Sequence, residues 1–193
     1  MGGVLFRMRE RAHQRMLAGQ DSAPTQAPAV AAAEQATLLV ANDEDNSLRG
    51  QVYSLPLPTD PGARARAVLG KLLDLYAAQD SNHPIPGGAT SIAQVFLLPA
   101  EGVLSKAAAQ SDSAPEIAVV NLKASFVASH PSGLETETLT VLSICGTLHA
   151  NLPRVTQVRF LVDGAVRPSL AGHADLTRTY LTSDAVPAEL IHP

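Results

Sequence analysis

The stretch Glu137–Gly164, ETLTVLSICGTLHANLPRVTQVRFLVDG, contains a helix, a helix stop, a strand and a turn in one run. Val141, Leu142, Cys145, Leu148 and Leu152 recur at spacings of three and four, which predicts a helix from Leu134 or Glu135 to Asn151 with one apolar face. Glu135 and Glu137 fall near its N-terminus, where the backbone dipole favours negative charge. Opposite the apolar face, Thr136, Thr140, Ser143, Thr147 and Asn151 make a stripe of short polar side chains. Such a stripe reads as the solvated side of a surface helix. Its functional alternative is a docking face, because short side chains lose little entropy on binding. Pro153 ends the helix, Gln157 to Val162 is a strand, and Asp163-Gly164 is a turn.

Working outward, Thr37 to Ala41 is a strand that ends in the acidic turn Asn42-Asp43-Glu44-Asp45-Asn46. Gln51 to Leu57 follows as a second strand, with Pro56 marking an edge or an end. Asp60-Pro61 starts a helix, the Asp capping free N–H groups and the Pro sitting where no donor is missed. Ala65, Val68, Leu69, Leu72, Leu75 and Tyr76 are its buried stripe, running to about Gln79. After a Pro/Gly loop, Ser91 to Leu98 and Ile117 to Leu122 are strands joined by a long surface excursion, Pro99 to Glu116. The order β-β-α-β-β-α-β predicts an α+β domain, a small mixed sheet of about five strands with two helices on one face.

At 46% hydrophobic, 193 residues can build one core behind a tail. Residues 1–20 are a basic segment of charge +3, 21–36 an Ala/Pro/Gln-rich linker, 37–183 the domain and 184–193 a tail. Everything after residue 20 carries −7, which repels phosphate backbones and excludes nucleic acid as partner. Aromatics at 4% and no Trp leave little for base or sugar stacking. No apolar run reaches the roughly 18 residues of a membrane span. Gly2 to Phe6 followed by Arg7 to Arg15 reads either as the exit from a membrane helix, with an anchor upstream of Met1, or as a basic amphipathic helix.

Chemistry is sparse. Cys145 has no second Cys to pair with and no ligand at metal spacing, so it reads as core. The histidines at 13, 83, 130, 149, 173 and 192 show no metal-ligand spacing, and the acidic turn lacks the Gly and closing Glu of a calcium loop. Pro86-Gly87-Gly88-Ala89-Thr90 lacks the Lys of a phosphate cradle. Ser169, His173 and Asp175 in SLAGHAD are the one compact set for a nucleophilic triad, without a nucleophile elbow. Neither catalytic residues, nor a cofactor, nor a metal are expected, and the chain reads as no enzyme.

TLLVAN, LPLPTDPGARARAVLGKLL, the strands VFLL and VVNL, the run from Glu137 to Gly164 and LAGHADLTRTY together resemble the GerMN domain of sporulation and spore-germination proteins, over residues 37 to 181. The resemblance implies a non-catalytic module on the outer side of the bacterial cytoplasmic membrane. It would bind envelope protein partners and be tethered through the N-terminus or an upstream anchor. Thr147, Asp163, Gly164, Gly172, His173 and Asp175 are then the signature and candidate interaction residues. The chain departs from the pattern at Val119-Val120-Asn121-Leu122-Lys123, where such domains carry an Asp in place of Asn121. Thr37 to Leu57 and the polar stripe are the candidate binding surfaces. A domain binding a small ligand or peptidoglycan fragment around Gly172, His173 and Asp175 is the alternative, and a hydrolase using Ser169 and His173 the third reading.

Overall fold

The computed structural model describes residues 33–100 and 114–185. The basic segment 1–20, nearly all of the linker, the middle of the excursion after Pro99 and the tail beyond Ala185 lie outside the described residues. The elements are β1 (Ala33–Asn42), β2 (Ser47–Pro56), α1 (Pro61–Tyr76), a 3-10 turn (Gly88–Ser91), β3 (Ile92–Pro99), β4 (Glu116–Leu122), α2 (Ala124–Ser129), α3 (Leu134–Asn151), β5 (Val155–Val162), β6 (Tyr180–Leu181) and a second 3-10 turn (Thr182–Ala185). The α+β class and the order of the main elements are as the sequence predicts. The strands are divided between an antiparallel hairpin, β1-β2, and a four-stranded sheet, β3-β4-β5-β6, in which only β4 and β5 run parallel.

Local signals account for most element ends. The Asp60 carboxylate accepts the Ala63 N–H at 2.7 Å, with Pro61 in the first turn of α1. Asp163 and Gly164 both have positive φ, 47° and 79°, the geometry of a tight hairpin turn, and Val162 and Ala165 exchange backbone bonds across it. β1 begins at Ala33, inside the stretch read as linker, because residues 33–36 pair with 53–56 of β2.

The largest departure concerns the polar stripe. Thr140, Ser143 and Thr147 are fully buried, and α3 is enclosed on nearly every side from Leu139 to Leu148. The stripe is therefore neither a solvated face nor an open docking face. It meets the edge of β1. Asn151 accepts the Thr37 N–H at 3.1 Å and donates to the Thr37 carbonyl at 2.7 Å, and the Thr147 hydroxyl accepts the Leu39 N–H at 2.9 Å. Two residues further along, the Ala41 N–H goes to the Tyr76 hydroxyl at 3.0 Å, and Ser143 bonds that same hydroxyl. Four helical residues advance about 6.0 Å and two strand residues about 6.6 Å, so a strand antiparallel to the helix keeps step with every fourth side chain. Side chains thereby take the place of a neighbouring strand, and this is why the hairpin stands apart from the larger sheet.

The approach is close. A Cβ added at Gly146 would lie 3.0 Å from Leu39 Cγ and 3.1 Å from the Ala185 carbonyl oxygen, so any side chain there would push β1 and the second 3-10 turn back by a few tenths of an ångström. Removing the Thr147 hydroxyl should strand a buried N–H. Thr147→Val is expected to lose roughly 1–3 kcal/mol in urea unfolding while Thr147→Ser loses much less. Equal losses would mean that packing, not the Leu39 bond, carries the contact.

Candidate functional site: a filled anion cradle and a buried histidine pair

The loop after β5 carries the SLAGHAD residues, and its geometry is set by one carboxylate. Glu137, in the first turns of α3, is fully buried. Its Oε2 accepts the N–H groups of Ala171, His173 and Ala174, each at 2.9 Å. Its Oε1 accepts His173 Nδ1 at 2.9 Å and the Gly133 N–H at 3.2 Å. Successive backbone N–H groups turned to one side, with Gly172 at φ 128° between them, form a concave cradle for an anion. The protein fills it with its own side chain. Burial pushes the Glu137 carboxyl upward, but the N–H of Ala171, the ring of His173 and the N–H groups of Ala174 and His173 outweigh it and hold the carboxyl at about 2.

The other predicted residues have local structural partners. Asp175 accepts the N–H and the hydroxyl of Thr177, at 2.8 and 2.6 Å, and does not orient His173. Its carbonyl takes the Tyr180 hydroxyl at 2.6 Å, and its backbone bridges Ser169. Asp163 accepts the first N–H of α2, from Ala124, at 3.2 Å. The Gly164 N–H goes to Asn121 Oδ1 at 2.8 Å. At that position a neutral amide supplies the acceptor that a carboxylate would supply, so the departure at Asn121 keeps the turn. Thr147 belongs to the β1 seam. Gly172, His173 and Asp175 thus share one loop, while Thr147 and the Asp163-Gly164 turn stand elsewhere. Among the described residues no serine hydroxyl is bonded to His173, and no group of three His, Cys, Asp or Glu could hold a metal ion.

A second polar cluster escaped the sequence reading. His83 is fully buried and His130 nearly so. His83 Nδ1 meets Asp43 at 2.5 Å, and His130 Nδ1 meets the Pro131 carbonyl at 2.7 Å. Both partners can only accept, so both Nδ1 atoms carry hydrogen. Both Nε2 atoms then reach one hydroxyl, Thr140 Oγ1, at 2.8 Å. Tyr76 packs edge-on against His83, with ring centroids 4.6 Å apart, and Phe126 against His130 at 5.5 Å. With neutral rings, the one hydroxyl hydrogen faces three acceptors, the two Nε2 atoms and the Thr136 carbonyl at 3.0 Å. A proton added to either ring would turn its Nε2 into a donor to the hydroxyl oxygen, but burial opposes charge there. It pushes both imidazoles below their ordinary pKa, against the pull of Asp43 on His83 and of the Pro131 carbonyl on His130. The cluster ties the β1-β2 turn, the loop after α1 and α3 together. Its histidines lie far apart in sequence, and no spacing rule joins them.

Two pH windows follow. Below about 6.5 the unfolded imidazoles take up protons that the buried rings resist, so stability should fall as the pH drops from 7 toward 5. Urea unfolding across that range should show a shallower fall for His83→Gln, and an unchanged slope would remove the cluster as its source. Glu137 behaves as a carboxyl with a depressed folded pKa. Its contribution, roughly 3 kcal/mol, is complete above about 4.5 and is lost as the pH falls toward 2. Glu137→Gln should flatten acid unfolding in that lower window.

Comparison with known proteins adds the family. No curated protein sequence matches the chain. Among solved structures it is similar to a provisionally assigned lipoprotein of Clostridium perfringens, at 17% identity and a TM-score of 0.39 over 79% of this chain and 90% of that one. It is similar also to the tandem GerMN domains of the sporulation protein GerM from Bacillus subtilis, at 14% identity and a TM-score of 0.45 over 79% and 48%. The first GerMN domain of the same protein aligns at 14% identity and 0.39, over 74% and 92%. The family model for Germane, sporulation and spore germination, matches residues 40–167, from within β1 to the residue before Pro168, leaving the LAGHAD loop beyond its end. More than half of the chain lies inside that match, and the protein belongs to the Germane family of sporulation and spore germination.

Proposed function

We propose that the domain is a non-catalytic interaction module of the bacterial cell envelope and that it binds an extended segment of a protein partner along the free edge of β2. The observation behind this is the direction of the hairpin's backbone groups. The N–H groups of Thr37, Leu39 and Ala41 face α3, so the even-numbered residues of β1 pair with Tyr53, Gln51 and Arg49 of β2. In an antiparallel ladder this turns the N–H groups of Leu48, Gly50, Val52 and Ser54 outward. No acceptor meets them among the described residues. Val52 is 61% exposed, and residues 49–52 are all exposed.

An unpaired row of backbone groups is a template for strand addition, in which main-chain bonds give affinity and side-chain pockets give selectivity. On the α1 side of the hairpin a shallow apolar groove of about 550 Å³ runs past Leu55, Pro56, Ala63 and Ala67, ready for alternate side chains of an added strand. Lys71 lies over the Tyr53 ring at 5.4 Å at its margin. The envelope setting rests on the family membership and on the basic segment of residues 1–20. Among the described residues no helix is long and apolar enough to cross a membrane.

The test uses proline as a donor eraser. Val52→Pro removes an outward N–H and leaves the β1 pairing intact, whereas Tyr53→Pro breaks a ladder bond and destabilises the hairpin. In crosslinked cells of the native organism, Val52→Pro should fold normally and lose an envelope partner that the unaltered chain retains. Retention of the partner at full yield by Val52→Pro would refute strand addition on this edge.

A further inference from the structure

The four-stranded sheet has one face packed on the core and one turned outward. Val95, Ala118, Val120, Val158 and Phe160 point inward and are buried. The strand registers lay out the opposite face in two transverse rows. Phe96 pairs with Val119, which pairs with Arg159, and Leu98 pairs with Ile117, which pairs with Gln157 and then Leu181. Phe96 is 45% exposed, Leu98 50% and Leu181 48%. Adjacent strands are about 4.8 Å apart, so Phe96, Val119 and Arg159 form a continuous band across the sheet, whereas Ile117, in the second row, is itself buried.

Arg159 is the charged member of these rows. It is exposed, and it makes no ion pair or hydrogen bond among the described residues. Arg154, by contrast, is bonded to Glu116 near the start of β5. A bare cation among apolar neighbours favours one kind of occupant. Two copies of this chain packed face to face across a twofold axis at Arg159 would set guanidinium against guanidinium. A carboxylate with apolar side chains around it would meet both features of the surface, and docking would desolvate the pair.

We propose that the outer face of β3, β4 and β5 is a docking surface for a partner protein that presents an acidic side chain ringed by apolar ones to Arg159. It is a different surface from the β2 edge and does not depend on strand addition there.

The full chain, with the photo-crosslinking residue benzoyl-phenylalanine in place of Phe96, should give an adduct with one protein in cells of the native organism. Arg159→Glu should lower the adduct by about tenfold or more. A compensating acidic-to-Arg change at the crosslinked site of the identified partner should restore it. Arg159→Gln, expected to unfold at the same temperature as the unaltered chain, should lower the adduct without inviting that rescue. Full adduct yield with Arg159→Glu, an adduct joining two copies of this chain, or no adduct at all would each overturn the proposal. Val52→Pro in the same background should leave the Phe96 adduct intact, so failure on one surface is distinguishable from failure on the other.

Discussion

The bonding of β1's backbone edge to the side chains of α3 and α1 is the contact on which the rest of the arrangement depends. A strand at a sheet boundary exposes N–H and C=O groups that cost free energy if buried without partners. Here the edge is buried against a helix, whose own backbone groups are already used. Asn151, Thr147 and the Tyr76–Ser143 pair supply what the helix backbone cannot. Burial pushes the Tyr76 phenol up to about 12, so it stays protonated over any physiological range. The near-equality of four helical steps and two strand steps makes the match possible over three contacts, and the lack of a side chain at Gly146 makes it close enough.

Glu137 performs the complementary task at the other end of α3. It gathers a loop that has almost no regular structure by accepting five hydrogen bonds, three from consecutive or near-consecutive backbone groups. One helix therefore organises the hairpin at its C-terminal half and the loop after β5 at its N-terminal end, with Thr140 joining the two histidines between them. A polar helix interior of this kind gives directional bonds that fix how the pieces meet, where apolar packing alone tolerates several arrangements.

Much of this was legible in the sequence, and the limits have physical causes. Asp60-Pro61, Pro153 and Asp163-Gly164 act through neighbouring backbone, so they announce α1, the end of α3 and the turn after β5 directly. Periodicity also identified α3 itself. It could not tell that the polar stripe is buried, because a Thr that bonds water and a Thr that bonds the Leu39 N–H have the same spacing. The meeting of Asp43, His83 and His130 is non-local and leaves no pattern. β6 is only two residues long, too short for alternation to register, and the first residues of β1 look like linker because Ala, Glu and Gln carry weak strand preference. His173 and Gly172 share one loop in sequence and in structure, but the carboxylate that gathers that loop, Glu137, was visible only as a helix-terminal charge.

The same accounting bears on where recognition can occur. Among the described residues no buried side-chain nitrogen or oxygen lacks a hydrogen-bond partner. The polar side chains singled out above have protein partners: His173 meets Glu137, Asp175 meets Thr177, and His83 meets Asp43 and Thr140. An anion entering the cradle at residues 171–174 would have to displace a carboxylate held by five donors, which already satisfies the site. Among the described residues, the outward backbone of β2 and the exposed side chains of the larger sheet have no such partners. One offers directional main-chain bonds and the other apolar area beside the Arg159 cation, which are the two physical ingredients of strand addition and of side-chain docking.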